Sequence, residues 1–241
     1  YKNTMINVHS DKETPSIAIV PFNNKGTKKD DFYAFGISAD LITDVSSAGF
    51  IRVSTLKDAS DYSSLSLTDI SQKLSVRYIC SGTLWKSGKN FQLSVELFDS
   101  KTLRIVWSDR WEENWENLST IKNSLSDGLL KVLDTKPKIK IKAETTHTEA
   151  YEYYLKGKYK WTYRQSKEDI DIARGFLNKA IELDDNLIVA KILIGNTYSD
   201  TGDVDKAMDI YSYTLEESEK LNDRFNIAYC LKSIGSIYFV K

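Results

Sequence analysis

The 241 residues hold two histidines, His9 and His147. A Ser–His–Asp nucleophile or a histidine-based metal centre needs an imidazole fixed by a strand or helix. His9 sits in a polar opening stretch and His147 in a polar connector, so neither has such a scaffold. Asp30-Asp31 and Asp184-Asp185 pair carboxylates in sequence, but neighbours on a loop diverge. They read as solvated loop or cap acids and not as an acid/base couple. Gly82, Gly88 and Lys89 invite a phosphate-loop reading, which fails. That loop needs four residues between its glycines, Ser or Thr after the lysine, and a strand-to-helix setting. Here the glycines read as one in a strand and one in a hairpin turn. No catalytic residue, metal site or cofactor is expected, and the chain alone is not expected to be an enzyme.

The aromatic residues carry more information. Trp107, Trp111 and Trp115 are spaced by four, which would make a stripe on a helix. A strand reading also works: Leu103, Ile105 and Trp107 share parity and would face a core, with a turn after about 111 and a helix from near Trp115. Core filling is favoured for Trp107 over a binding platform. A second aromatic segment, AYEYYLKGKYKWTY, spans 150–163.

Composition bounds the partners. The net charge of −1 argues against a general nucleic-acid surface. No apolar run approaches eighteen residues, so any membrane attachment is expected only through segments outside the chain. The polar start without Met suggests an internal piece of a longer protein, and an anchor before residue 1 would decide whether it is cytoplasmic or periplasmic. Cys80 and Cys230 fall on separate expected domains, so a disulfide framework is not expected.

The elements follow from periodicity. SIAIVPF (16–22) predicts a buried strand closed by Pro21, and Phe32, Phe35, Leu41, Ile42 and Val45 predict a helix ending at Gly49. FIRVST (50–55) is a second strand, parallel to the first through a right-handed crossover. LTDISQKLS predicts a short helix with Thr68 as its cap. Three strands then come in quick succession, with KSGKN as a hairpin turn, and Leu118, Ile121, Leu125, Leu129 and Val132 mark an amphipathic helix. The expected organisation is a polar tail (1–14), an α/β mixed-sheet domain (15–133), an extended linker (134–147) and an all-α region (148–241).

The all-α region repeats. Ala173, Leu177 and Ile181 recur as Ala207, Tyr211 and Leu215, thirty-four residues on, the tetratricopeptide (TPR) period. Ile194-Gly195 and Tyr198 recur as Ile234-Gly235 and Tyr238. One repeat covers about 149–187, with an inter-helix turn near Ser166, and a second about 188–221. A third begins at AYCLKSIGSIY, giving about two and a half repeats, the last expected to be cut short. Gly195 is expected to admit a close neighbour beneath Tyr198, and Asp203 to cap the helix after Gly202. First helices of such repeats line a concave groove. Aligning Gly157 with Gly195 assigns Tyr151, Tyr154, Lys158, Trp161, Asn196, Ser199, Tyr229, Lys232 and Ser236 to it, a mixture suited to a peptide or docked helix. Packing of several tyrosines against the front domain is the alternative. Ile227, Cys230, Leu231, Ile234 and Tyr238 form an apolar face on the last helix, for which self-association into a homodimer is expected.

Several front segments together resemble the TolB amino-terminal-like domain. They are Pro21-Phe22 after an apolar strand, Gly36-Ile37-Ser38, Val76-Arg77-Tyr78 leading to Gly82, and Asp99 with Trp107. The resemblance covers about 15–133. It implies a domain often placed ahead of tetratricopeptide repeats, as in the carboxy-terminal half of bacterial class III adenylate cyclases. Membrane-anchored transcription activators with a winged-helix head carry the same pair. The expected function is a non-catalytic interaction and regulatory module of a bacterial signalling protein, with a class III adenylate or guanylate cyclase ahead of the activator or an envelope assembly protein. The loop NNKGTKKDD is more basic than is usual for the family.

Overall fold

The computed structural model describes residues 14–49, 51–55, 61, 64–135 and 145–240. The polar tail with His9, Phe50 and most of the 134–147 linker lie outside them. The chain forms two compact units, residues 1–138 and 139–241. A mixed α/β sheet unit is followed by a helical one.

In the first unit the sheet order is β3 (Arg52–Val53), β1 (Ser16–Ile19), β4 (Tyr78–Ser87), β5 (Asn90–Asp99) and β6 (Arg104–Asn114), and β2 (Asn23–Asn24) also pairs with β4. β1 runs parallel to both β3 and β4, as a strand–helix–strand crossover requires. β4, β5 and β6 form an antiparallel meander. Gly88, at φ +59°, turns the first hairpin, where a side chain would be strained. The two glycines of the apparent phosphate motif are thus a strand residue and a turn residue.

Alternation in β1 sends side chains to both faces. Ala18 and Val20 join Ile79 and Phe98 in a cluster packed by Leu67, Ile70 and Leu74 of α2 (Leu67–Leu74). Ile17 and Ile19 point the other way with Leu93, Val95 and Leu97, all fully buried, on the face shared with α1 (Asp31–Ser47) and α3 (Leu118–Val132). Between these two helices lies a charge cluster. The Lys122 ammonium is 3.5 Å from Asp40 Oδ2 and 4.0 Å from Asp44 Oδ2, and Ser126 Oγ donates to Asp44 Oδ2 at 2.8 Å. Burial of Cys80 pushes its thiol up to about 12.

Three local expectations change. The cap of α2 is Ser66, whose Oγ accepts from the Asp69 N–H at 3.2 Å; Ser66 is extended, while Thr68 already lies inside the helix. β6 continues to Asn114, beyond the expected end near 111; Trp115 then starts a short 3-10 turn, and α3 begins at Leu118. Leu103 and Ile105 are exposed and do not face the core. A bulge sets Leu97 opposite Trp107 but Phe98 opposite Ile105, so one extra residue reverses the parity of the strand's start.

The residues that carry the TolB-like resemblance meet one another. Ser38 Oγ accepts from the Phe22 N–H at 2.8 Å and donates to Ala34 O at 2.7 Å, tying the loop after β1 to α1. A Cβ at Gly82 would lie 3.0 Å from the Phe22 ring and 2.9 Å from Ser94 O, so that ring needs glycine beneath it. Trp107 packs likewise on Gly128 of α3, where a Cβ would be 2.9 Å from Cζ2. Arg77 donates from Nε and Nη2 to the two oxygens of Asp99, each at 3.0 Å. Burial opposes the Asp99 charge, but the Arg77 hydrogen bonds, the Lys101 N–H and the guanidinium charge outweigh it and hold the carboxyl below its ordinary range.

The second unit contains α4 (Thr148–Thr162), α5 (Lys167–Leu183), α6 (Ile188–Asp200), α7 (Val204–Lys220) and α8 (Arg224–Val240). Successive helices are antiparallel. In the first pair, Tyr153 stacks near Phe176 at one end while Lys160 pairs with Asp169 at the other. Ser166 Oγ caps α5 through the Asp169 N–H at 3.2 Å. Asp203 precedes α7 without a side-chain cap bond, contrary to expectation, while its carbonyl accepts from the Ala207 N–H. Gly202 makes the turn at φ +80°. The fully buried Ala173 and Ala207 occupy equivalent places in their pairs. Cys230 is also fully buried, and burial pushes its thiol up to about 11. Both cysteines are free thiols.

Replacing Arg77 with Ala strands a buried carboxylate and should cost about 3 kcal/mol at neutral pH. Because the folded pKa of Asp99 is depressed, the pair's contribution is complete above the unfolded value of about 3.9 and is lost as pH falls through the folded one. The deficit of Arg77→Ala should therefore shrink in acid, which urea titrations at pH 7 and pH 3 would measure. An equal deficit at both would remove the ion pair from the account.

Candidate interaction surface

The expected groove lies on α4, α6 and α8, and the structure divides its residues into groups. Tyr151 and Tyr154 are buried, with ring centroids 5.9 Å apart. They pack and are not presented to a ligand. The Lys158 ammonium sits 5.4 Å from the centroid of Tyr154, so its stem covers that ring while it remains half-buried. Trp161 is half-buried at the end of α4, with the Arg164 guanidinium 5.1 Å from its ring. Arg164 also donates to Trp161 O and to Asp200 Oδ2, each at 2.8 Å, which ties the ends of α4 and α6 together. The Trp161 Nε1 donor is enclosed without an acceptor.

Asn196 is a bridge. Its Oδ1 accepts from the Tyr211 hydroxyl at 2.6 Å, and its Nδ2 donates to the Tyr229 hydroxyl at 3.0 Å. One amide thus links α6 to both α7 and α8. Burial, and next the neighbouring Tyr229, push the Tyr211 hydroxyl well above its ordinary pKa. Gly195 makes this possible: a Cβ there would lie 2.6 Å from Tyr211 Cε1. The neighbour received by Gly195 is therefore Tyr211 and not Tyr198. Gly157 plays the same part in the preceding pair, where a Cβ would lie 2.7 Å from Leu177 Cγ. Ser199 is half-buried, and Lys232 and Ser236 are exposed on α8. The surface left for a partner is consequently Lys158, the open edge of Trp161, Ser199, Lys232 and Ser236.

Of the residues expected to mediate self-association, Ile227 and Ile234 are half-buried, and Ile234 packs with Tyr211 and Ile237. Cys230 packs with Ile188 and Ile192. Leu231 and Tyr238 are exposed.

Some contributors escaped the sequence reading. Tyr198 is sandwiched between the Arg174 guanidinium at 3.8 Å and the Lys206 ammonium at 4.4 Å from its centroid. Arg174 also donates to Thr197 O and Thr201 Oγ1. Buried Lys191 pairs with Glu217 at 2.7 Å and Asp185 at 2.9 Å; desolvation lowers its pKa, but these bonds outweigh it and the net shift is upward. Asp185 is thus an ion-pair partner, and Asp184 Oδ1 accepts from the Asn186 N–H. Asp30 accepts from Thr27, and Asp31 from Asn24. His147 Nδ1 accepts from the Ala150 N–H at the start of α4. Among the described residues, no group of three His, Cys, Asp or Glu could hold a metal ion, and no helix is long and apolar enough to cross a membrane.

Comparison with known proteins gives two kinds of match in sequence. Residues 12–128 match the family of the HilA/YgeH-like transcriptional regulator, second domain. A protein of Rhizobium meliloti (strain 1021) named "Putative adenylate cyclase 3" is 25% identical over 125 residues, 51% of this chain and 21% of the relative. The chain thus spans about a fifth of that protein. Similar solved structures include TolB from Acinetobacter baumannii, with a TM-score of 0.40, 20% identity, and coverage of 50% of this chain and 28% of that one. Lipoprotein GNA1162 from Neisseria meningitidis has a TM-score of 0.37 at 17% identity, covering 47% of this chain and 98% of that one.

The glycines supply a paired test. Gly195→Ala should gain about 1 kcal/mol of helix propensity but cost more by overpacking Tyr211 and straining its bond to Asn196. A Cβ at Gly175 on α5 would meet nothing within 4 Å. Gly175→Ala should therefore raise the melting temperature while Gly195→Ala lowers it. Two shifts of the same sign would contradict the packing described.

Proposed function

We propose that the chain is a non-catalytic protein-interaction and regulatory module of a bacterial signalling protein, a class III adenylate or guanylate cyclase. In this reading α4 to α8 form tetratricopeptide repeats, and their first helices receive a protein or peptide partner. The observation that carries it is how the polar residues are used. In the first unit, Ser38 holds the Phe22 N–H and Asp99 holds Arg77, so these motif side chains serve the scaffold. In the second unit, Lys158, Lys232 and Ser236 face outward on successive first helices. The thirty-four-residue offset supports the repeat, since it relates Ala173 to Ala207 and Leu177 to Tyr211, all buried. The similarity to the Rhizobium protein supports the cyclase setting.

A second reading has its own support. The regulator-family match over 12–128 favours the module of a transcription activator, whose DNA-reading head would be a separate winged helix. Envelope assembly is a more distant alternative.

The experiment uses the natural-length protein, the same protein lacking residues 148–241, and the 241-residue chain. With ATP or GTP, the natural-length protein should form cyclic nucleotide, the deletion should change its rate or regulation several-fold, and the chain alone should form none. Cyclic nucleotide from the chain alone would overturn the non-catalytic assignment. Sequence-specific DNA binding by the natural-length protein, without cyclase activity, would replace the first reading with the second.

A further inference from the structure

We propose that two copies of this chain dock through their α8 helices, antiparallel and crossing at Gly235. The inference rests on the exposed face of α8 and is independent of the cyclase reading. At 3.6 residues per turn, Ala228, Leu231, Lys232, Gly235, Tyr238 and Phe239 share an arc of about 120°. All six are exposed; Leu231 is 54%, Tyr238 67% and Phe239 93% accessible. The opposite side of α8 is occupied, with Cys230 against α6 and Ile237 in the Tyr211 cluster. The outer face of α7 is different in kind, with Asp205, Lys206, Asp209, Ser212 and Glu216 exposed. A nearly uncharged arc with large apolar side chains is the composition of a contact surface.

The pattern selects a second copy because it is self-complementary. A two-fold axis through Gly235 sets Leu231 of one copy opposite Phe239 of the other, and Lys232 opposite Tyr238. Each pairing occurs twice. The first buries apolar surface on both sides, and the second places an ammonium on an aromatic face. The helix RFNIAYCLKSIGSIYFV contains no acidic residue to compete for Lys232. The two lysines lie on opposite sides of the axis, about 9 Å apart along the helix direction, so they do not collide. At the crossing, a Cβ on Gly235 would meet nothing within 4 Å, leaving open space for the partner backbone to approach. Tyr238 and Leu231 were legible from the sequence as contact residues. The geometry adds Lys232, Gly235 and Phe239 and removes Ile227 and Ile234, which serve internal packing. Ile234→Asp would therefore test the fold and not the docking.

Sedimentation equilibrium on the 241-residue chain and on the natural-length protein provides the test. Both should dimerise. Gly235→Gln and Phe239→Ser, each at an exposed position, should weaken dimerisation roughly 30-fold or more without lowering the melting temperature. Gly235→Cys should form an intermolecular disulfide on mild oxidation, because the two residues meet on the axis, whereas Ser212→Cys on α7 should not. Monomer at high micromolar concentration would overturn the proposal, as would a dimer indifferent to both substitutions. So would a monomeric natural-length protein in which residues beyond Lys241 cover α8, or an α8 captured by a different protein that leaves the purified chain monomeric.

Discussion

A bulky side chain seated on a glycine is the contact around which both units are built. Phe22 lies on Gly82, Trp107 on Gly128, Leu177 on Gly157 and Tyr211 on Gly195. At each place a Cβ would come within about 3 Å of a packed atom, so the backbone and the side chain must share space that any other residue would fill. In the sheet unit these contacts close strand against loop and strand against helix. In the helical unit they set how near one helix of a pair comes to the next. The polar bonds depend on that distance. Ser38 reaches the Phe22 N–H because the ring beside it is in place, and Tyr211 reaches Asn196 because its ring lies flat on α6. Changing the glycine would therefore break hydrogen bonds that the glycine itself does not make.

Half of each contact was visible in the sequence. The glycines stood in recurring or family-like positions, and the short strands and periodic helices around them followed from alternation and 3.6-residue spacing. What the sequence could not display was the partner, because a ring lands on a glycine only after the chain has folded. Gly195 was matched to Tyr198 by proximity along its own helix, whereas its neighbour is Tyr211 across the pair. The misplaced residues of β6 have a different cause. Ile105 reads as inward if parity is counted back from Trp107, but a bulge inserts one residue and reverses the count. Nothing in RIVWSDRW distinguishes a regular strand from a bulged one. The groove suffered similarly: periodicity assigns Tyr151 and Tyr154 to the same face as Lys158, yet how much of a ring remains exposed depends on neighbours that periodicity does not contain.

The contrast between the units bears on function. Arg77, Asp99, Ser38 and the glycines of the first unit leave little motif chemistry facing outward, which fits a domain that transmits or positions. The helical unit keeps its ion pairs and ring stacks between helices, as with Lys191 and Tyr198, and leaves lysines and serines on the first helices. A scaffold that satisfies its buried charges internally can vary its outer residues without refolding, which is how repeated helices acquire different partners.

The two cysteines have a consequence of this division. Each unit holds one, Cys80 in the sheet and Cys230 in the helices, both fully enclosed and with their thiols pushed far above neutrality by burial. A thiol in that state reacts with an alkylating reagent only while its surroundings are open. The chain therefore carries a built-in clock for each unit. The two labelling rates, read separately from peptides containing one cysteine or the other, would reveal whether sheet and helices open together or apart, with no probe added to the molecule.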